Sequence, residues 1–187
     1  MRSSRLMIAS VVLVAVGVLV GGADVKKEWL EGDQQQREKF KEIEGKPAPA
    51  LQVENFINGD AVTLEQLKGK VVLLDFWATW CGPCIAAIPK TNELQAKYKD
   101  QGLVIIGVCH PRGVEKMEQT VKDKGIEYLV AADSQGKTID AYMVSSFPDY
   151  YFIDRQGTLR IADCANGAVE EAIKALLAES ATASANE

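Results

Sequence analysis

Several things are scarce in this 187-residue chain, and each scarcity removes a class of function. No cluster of Lys and Arg forms a stripe that tracks phosphates, and the net charge is −5, so nucleic acid is excluded as the main partner. No segment repeats, which removes solenoids and propellers. The length leaves no room for two full enzymatic domains, since one domain takes roughly 100–200 residues. Histidine occurs once, at His110, and cysteine four times, at Cys81, Cys84, Cys109 and Cys164. What remains is an ordinary folded domain whose partner is a protein or a small molecule: apolar residues make up 47% and charged residues 25%.

One long hydrophobic run is present. Arg2 and Arg5 precede an uncharged stretch from Leu6 to Val20 that ends in Gly21-Gly22-Ala23, the pattern of an export signal cut after a small residue. Leu6 to Ala23 is also just long enough to stay in a bilayer as an anchor. No Cys follows the run, so a lipid-modified terminus is not supported. Residues 1–23 are therefore read as a signal peptide or membrane anchor, with the rest exported to the periplasm or the outer side of the membrane. All four cysteines lie in that exported part, where disulfides persist. Residues 24–44 are charge-dense with few apolar anchors and read as a solvated helix or spacer. Gly45-Lys46-Pro47-Ala48-Pro49 marks the start of a folded domain over 45–178, and 179–187 reads as a flexible tail.

Within that domain, Leu51 to Ile57 and Ala61 to Val62 flank Asn58-Gly59-Asp60 and predict a hairpin. Val71 to Trp77 is an almost continuous apolar run, the signature of a strand buried on both faces, with Asp75 inside it. A helix follows to about Lys99, a second buried strand from Leu103 to Val108, a helix from Val114 to Lys124 and a third strand from Ile126 to Ala132. After a short helix at Thr138 to Met143, a hairpin pairs Tyr150 to Ile153 with Thr158 to Ala162, and a closing helix runs from Ala168 to Ala178. Strands alternating with helices predict an α/β fold with a mixed central sheet and helices on both faces.

Trp80-Cys81-Gly82-Pro83-Cys84 falls where the buried strand ends and a helix begins. Two cysteines spaced by one helical turn can form a disulfide. The first faces the unpaired N–H groups and the positive end of the helix, which favour a thiolate. Cys84, a turn further in, suits a buried resolving thiol. Pro83 needs no N–H in that position, and Gly82 leaves the sulfur accessible. A purely structural bridge over so short a loop restrains the unfolded chain little. Half of a zinc site is the other alternative. It has no recognisable second half in Cys109, His110 and Cys164, so no metal and no cofactor is expected. Asp75, in an apolar strand, is costly to ionise, and its pKa should rise to where it exchanges protons near neutrality.

The run from Asp75 to Cys84 closely resembles the active-site segment of thioredoxins. The wider frame, with Gly45-Lys46-Pro47-Ala48-Pro49, Leu67-Lys68-Gly69-Lys70-Val71-Val72-Leu73-Leu74 and an extra helix-strand unit at 113–132, resembles the exported TlpA/ResA-like branch. The resemblance implies a three-layer thioredoxin-like sandwich with a central helix-strand insertion. It also implies that Cys81 attacks a partner's disulfide, Cys84 resolves the mixed disulfide and Asp75 handles the Cys84 proton. Pro148 falls at the family's cis-proline, so that Phe147 offers its backbone to a substrate peptide beside Trp80, Gly82 and Pro83. Protein thiols and disulfides would be the substrates and a membrane-embedded electron donor the reductant. Ala87 departs from the branch, which often carries Glu there, and Asp75 stands where relatives often have Asn. Cys109 and Cys164 lie three strand spacings apart in the implied sheet, about 14 Å at about 4.8 Å each, although loops could close the gap. A non-catalytic peptide- or metal-binding module, and a thiol peroxidase using Cys109, are the rival readings. The second lacks the P-x-x-x-T-x-x-C pattern before Cys109.

Overall fold

A computed structural model describes residues 24–179; the expected leader at 1–23, and all but the first residue of the expected tail, lie outside the described residues. β2 (Val71–Trp77) is buried along its whole length, as its apolar run requires. It pairs in parallel with β3 (Leu103–Cys109), which pairs in parallel with β4 (Leu129–Ala132). On its other side β2 meets β5 (Asp149–Ile153) antiparallel, and β5 turns back into β6 (Leu159–Ile161). β1 (Glu54–Ile57) runs antiparallel to β4 at the far edge, so the sheet order is β1-β4-β3-β2-β5-β6.

Alternation along β2 builds two cores. Val71, Leu73 and Trp77 join one layer, covered by α2 (Gly82–Tyr98), α3 (Met117–Lys124) and α5 (Val169–Ala178) through residues such as Ile88, Val121 and Ile173. Val72, Leu74 and Phe76 join the other, covered by α1 (Gln34–Phe40) and α4 (Lys137–Ala141) through Phe40 and Ile139. Each such side chain contributes about 1.5–3 kcal/mol when fully buried. The C-terminal end of β2, held from both faces, is therefore a rigid base for whatever follows it.

Two expectations need correction. Asn58 does adopt a left-handed turn conformation, with φ of 68°, but no strand forms at Ala61 and Val62. The Asn58 amide instead donates to the Ile126 and Tyr128 carbonyls at 2.7 and 3.0 Å. That ties the turn to the segment entering β4, so β1 pairs with β4 rather than closing a hairpin. The charged segment at 24–44, expected as a solvated helix or spacer, does carry a mostly exposed helix at Gln34–Phe40, but it is docked on the domain. Trp29 is 2% exposed and Phe40 fully buried. Arg37 grips both Glu44 oxygens at 2.7 and 2.8 Å and donates to the Ala162 carbonyl, while the Ala162 N–H donates back to Glu44. Gly45 to Ala48 then run along β6 through backbone bonds to Leu159 and Gly157, covering the sheet edge. Trp29 and Phe40 anchor the segment, with Val25, Leu30 and Ile43 packed half-buried beside them.

Candidate active site

At the end of β2 the chain leaves the sheet through Ala78, Thr79 and Trp80, and Cys81 becomes the N-cap of α2. The Cys81 Sγ accepts the Cys84 backbone N–H at 3.2 Å. A sulfur in that position sits at the positive end of the helix, where negative charge is stabilised. Cys81 and Cys84 form a disulfide with their Cα atoms 5.3 Å apart. Gly82 and Pro83 fill the first turn between them. A side chain added at Gly82 would meet nothing within 4 Å, so it would project into the open approach.

Asp75 lies in β2 opposite Gly107 and Tyr150. It is 4% exposed, and burial pushes its carboxyl up to about 7 against the opposing hydrogen bond from Tyr128. The Tyr128 hydroxyl donates to Asp75 Oδ2 at 3.1 Å. Gly107 permits this closeness: a Cβ there would come within 3.1 Å of both the Tyr128 and Trp77 rings. Nothing in the sequence singles out Tyr128, because no spacing rule links residues 53 apart that a parallel sheet brings together.

The Phe147–Pro148 bond is cis. Pro148 lines a cleft between α2 and α5 together with Pro83, Ala87 and Tyr150, so the structure brings the cis-proline loop to the Cys81–Cys84 turn. Ala87 puts only a methyl group on that cleft. Trp80 is 46% exposed and packs edge-to-face with Phe147 and His110, at centroid distances of 6.1 and 5.6 Å. His110 belongs to this rim as well: its ring lies 5.2 Å from Phe147 and its Nδ1 accepts the Arg112 N–H at 2.9 Å. All eight residues predicted for the site thus fall around one end of β2, Asp75 beneath and the others at the turn and its rim.

The other two sulfurs stand apart. Cys109 ends β3 and Cys164 follows β6; both are buried and free. β2 and β5 lie between their strands. Burial pushes each thiol up to about 12, which leaves little thiolate for peroxide chemistry at Cys109. A second buried carboxylate, Asp149, follows Pro148 but joins the opposite side of the sheet. Burial, and then the neighbouring Asp163, push its carboxyl well above the usual carboxylate range.

Residues 44–162 match the AhpC/TSA family. A relative named thiol-disulfide oxidoreductase ResA, from Bacillus thuringiensis, is 33% identical over 157 residues, covering 84% of this chain and 86% of its own. The protein of the same name from Bacillus subtilis is 34% identical over 114 residues, covering 61% and 63%. Among solved structures, a candidate thiol:disulfide interchange protein DsbE from Chlorobium tepidum superposes with a TM-score of 0.63 at 33% identity, over 73% of this chain and 96% of that one.

Proposed function

The chain belongs to the AhpC/TSA family and is a thioredoxin-fold thiol-disulfide oxidoreductase, and we propose that it acts on the outer side of a membrane as a reductase of protein disulfides. Cys81, as thiolate, attacks one sulfur of a substrate disulfide. A Cys81–substrate bond forms and the other substrate sulfur leaves as a thiolate. Cys84 gives its proton to Asp75 and attacks the Cys81 sulfur, the second substrate sulfur leaves, and the protein ends as the Cys81–Cys84 disulfide. Two electrons have passed to the substrate, and a membrane-embedded dithiol donor returns them to the protein. Phe147 and Pro148 hold the substrate backbone, with Trp80, Gly82 and Pro83 forming the surface it meets.

The observation that carries this reading is the Cys81 Sγ capping α2 within one turn of its disulfide partner. Support for the direction comes from the Gly82-Pro83 dipeptide, which resembles that of reducing thioredoxins. Support for export comes from Arg2 and Arg5 ahead of the Leu6–Val20 run. The direction is tested by the equilibrium potential of the Cys81–Cys84 couple in a dithiothreitol buffer, with Cys109 and Cys164 replaced. A value near about −270 mV is expected; one near about −120 mV, that of a strong oxidant, would make the protein a disulfide donor instead.

A further inference from the structure

The rim beside the disulfide carries a cation that the exchange chemistry does not use. Arg112 lies on the loop after β3, with its guanidinium carbon 4.0 Å from the centre of the Trp80 ring. The loop is fixed there at three points. The Trp80 indole N–H donates to the Arg112 carbonyl at 2.8 Å, the Arg112 N–H donates to His110 Nδ1, and the Thr79 hydroxyl donates to the Gly113 carbonyl at 3.0 Å. Gly113 has φ of 87°, and a Cβ on it would fall 2.4 Å from the Thr79 hydroxyl oxygen. Only glycine lets the loop press this closely on the Thr79–Trp80 turn, so the position of Arg112 is built into the backbone.

Among the described residues, only the face of this guanidinium is engaged, on the Trp80 ring, and its N–H edge is not. Arg37 is paired with Glu44, Arg155 donates to the Gly69 and Gln101 carbonyls, and Arg160 pairs with Asp154 and Glu179. Arg112 is exposed, and among the described residues its guanidinium makes no hydrogen bond and no ion pair, Glu115 on the same loop included. Stacking on an indole leaves the edge of a guanidinium open, and that edge is a fork of N–H donors matched to a carboxylate. The exposed indole next to Cys81 places this fork at the mouth of the disulfide, on a chain that is otherwise acidic.

We infer that Arg112, held over Trp80 by Gly113 and His110, is a carboxylate-binding specificity residue that selects polypeptide disulfides with an acidic side chain within a few residues of the reacting cysteine. This rests on the oxidoreductase reading and adds its substrate class. Arg112 binds the substrate's carboxylate while Cys81 attacks its sulfur; no bond to Arg112 forms or breaks.

The test uses the full-length protein in a non-ionic detergent, reduced with dithiothreitol and freed of it. It is mixed with acetylated, amidated peptide disulfides that are identical except for Glu, Gln or Lys at the positions flanking Cys. The second-order rate of peptide thiol release is followed in single turnover. The wild type is expected to prefer Glu over Gln by about two- to fivefold at low salt and Gln over Lys further, with the preference shrinking as salt rises. Arg112→Gln should bring the Glu-to-Gln ratio near one, Arg112→Lys should keep part of it, and Arg112→Glu should invert it. Equal wild-type rates for the three peptides, or a ratio unchanged in Arg112→Gln, overturns the inference and leaves the oxidoreductase reading standing. No thiol release from any peptide overturns that reading, and this one with it.

Discussion

Cys81 and Cys109 stand at the same end of neighbouring parallel strands, for Trp77 at the close of β2 is in register with Cys109 at the close of β3. Their settings are opposite. Past Trp77 the chain turns into a helix whose first turn aims an N–H at the Cys81 sulfur. Cys109 is still inside the sheet and fully buried, with its sulfur 3.7 Å from the His110 carbonyl, and its burial outweighs the backbone hydrogen bond from Thr79 that favours a thiolate. A helix N-terminus stabilises a thiolate, whereas an apolar strand end opposes one. Reactivity is thus decided by three residues of turn, not by position in the fold. The same contrast holds for carboxylates across the sheet: Asp75 lies beneath the cysteine turn, while Asp149 is turned away from it and faces Tyr151 and Asp163.

Exchanging the sulfurs tests this contrast most severely. Cys81→Ser should abolish turnover of a peptide disulfide, and Cys84→Ser should accumulate a covalent adduct at Cys81, visible on non-reducing gels. Equal and partial losses from both would break the assignment of attacking and resolving roles. Asp75→Asn should have the next largest effect. A positioned proton acceptor is worth about 10²-fold or more, so resolution of the mixed disulfide should slow by about that factor at pH 8. In the unsubstituted protein that step should accelerate as pH rises through about 7, where Asp75 ionises, and the inflection should vanish in the variant. A pH profile that Asp75→Asn leaves unaltered would remove Asp75 from the reaction.

The stability consequence has the opposite sign. The folded state holds the Asp75 proton more tightly than the unfolded chain, whose carboxyl has the ordinary value of 3.8. Stability linked to this group is therefore full below about pH 4 and declines until about pH 7. Asp75→Asn should accordingly be more stable than the parent at pH 8, by about 2–4 kcal/mol in urea unfolding. A destabilised variant would mean that the carboxylate is held by more than Tyr128. The smallest effect is expected at the other sulfur. Cys109→Ser buries a hydroxyl and should cost about 1–3 kcal/mol of stability, yet leave the exchange rate within about twofold, since the site does not use this thiol.

The central strand, the helix after the cysteines and the disulfide itself were legible in the sequence because they depend on local pattern: an apolar run, a turn, a spacing of one helical turn. Asp75 was legible for the same reason, as the one charge in a buried strand. Tyr128 and Arg112 were not. Each reaches the site through pairing of segments distant in the chain, Tyr128 just before a parallel strand and Arg112 on a loop held down by Gly113. The docking of residues 24–44 was hidden by composition, since Trp29 and Phe40 are outnumbered by charges that stay in water. Asn58-Gly59 misled because a turn residue specifies a reversal of the chain and not what the reversed chain pairs with.

The most direct measurement is peptide-mapped alkylation of the folded, reduced protein at pH 7 with a limiting amount of iodoacetamide. The thiolate at the α2 N-cap should be modified first, with Cys81 labelled at least about 100-fold faster than Cys109 or Cys164, whose burial holds the proton on sulfur. Labelling of Cys109 at a rate comparable to Cys81 would contradict the account, because the setting of a sulfur would then not decide its chemistry.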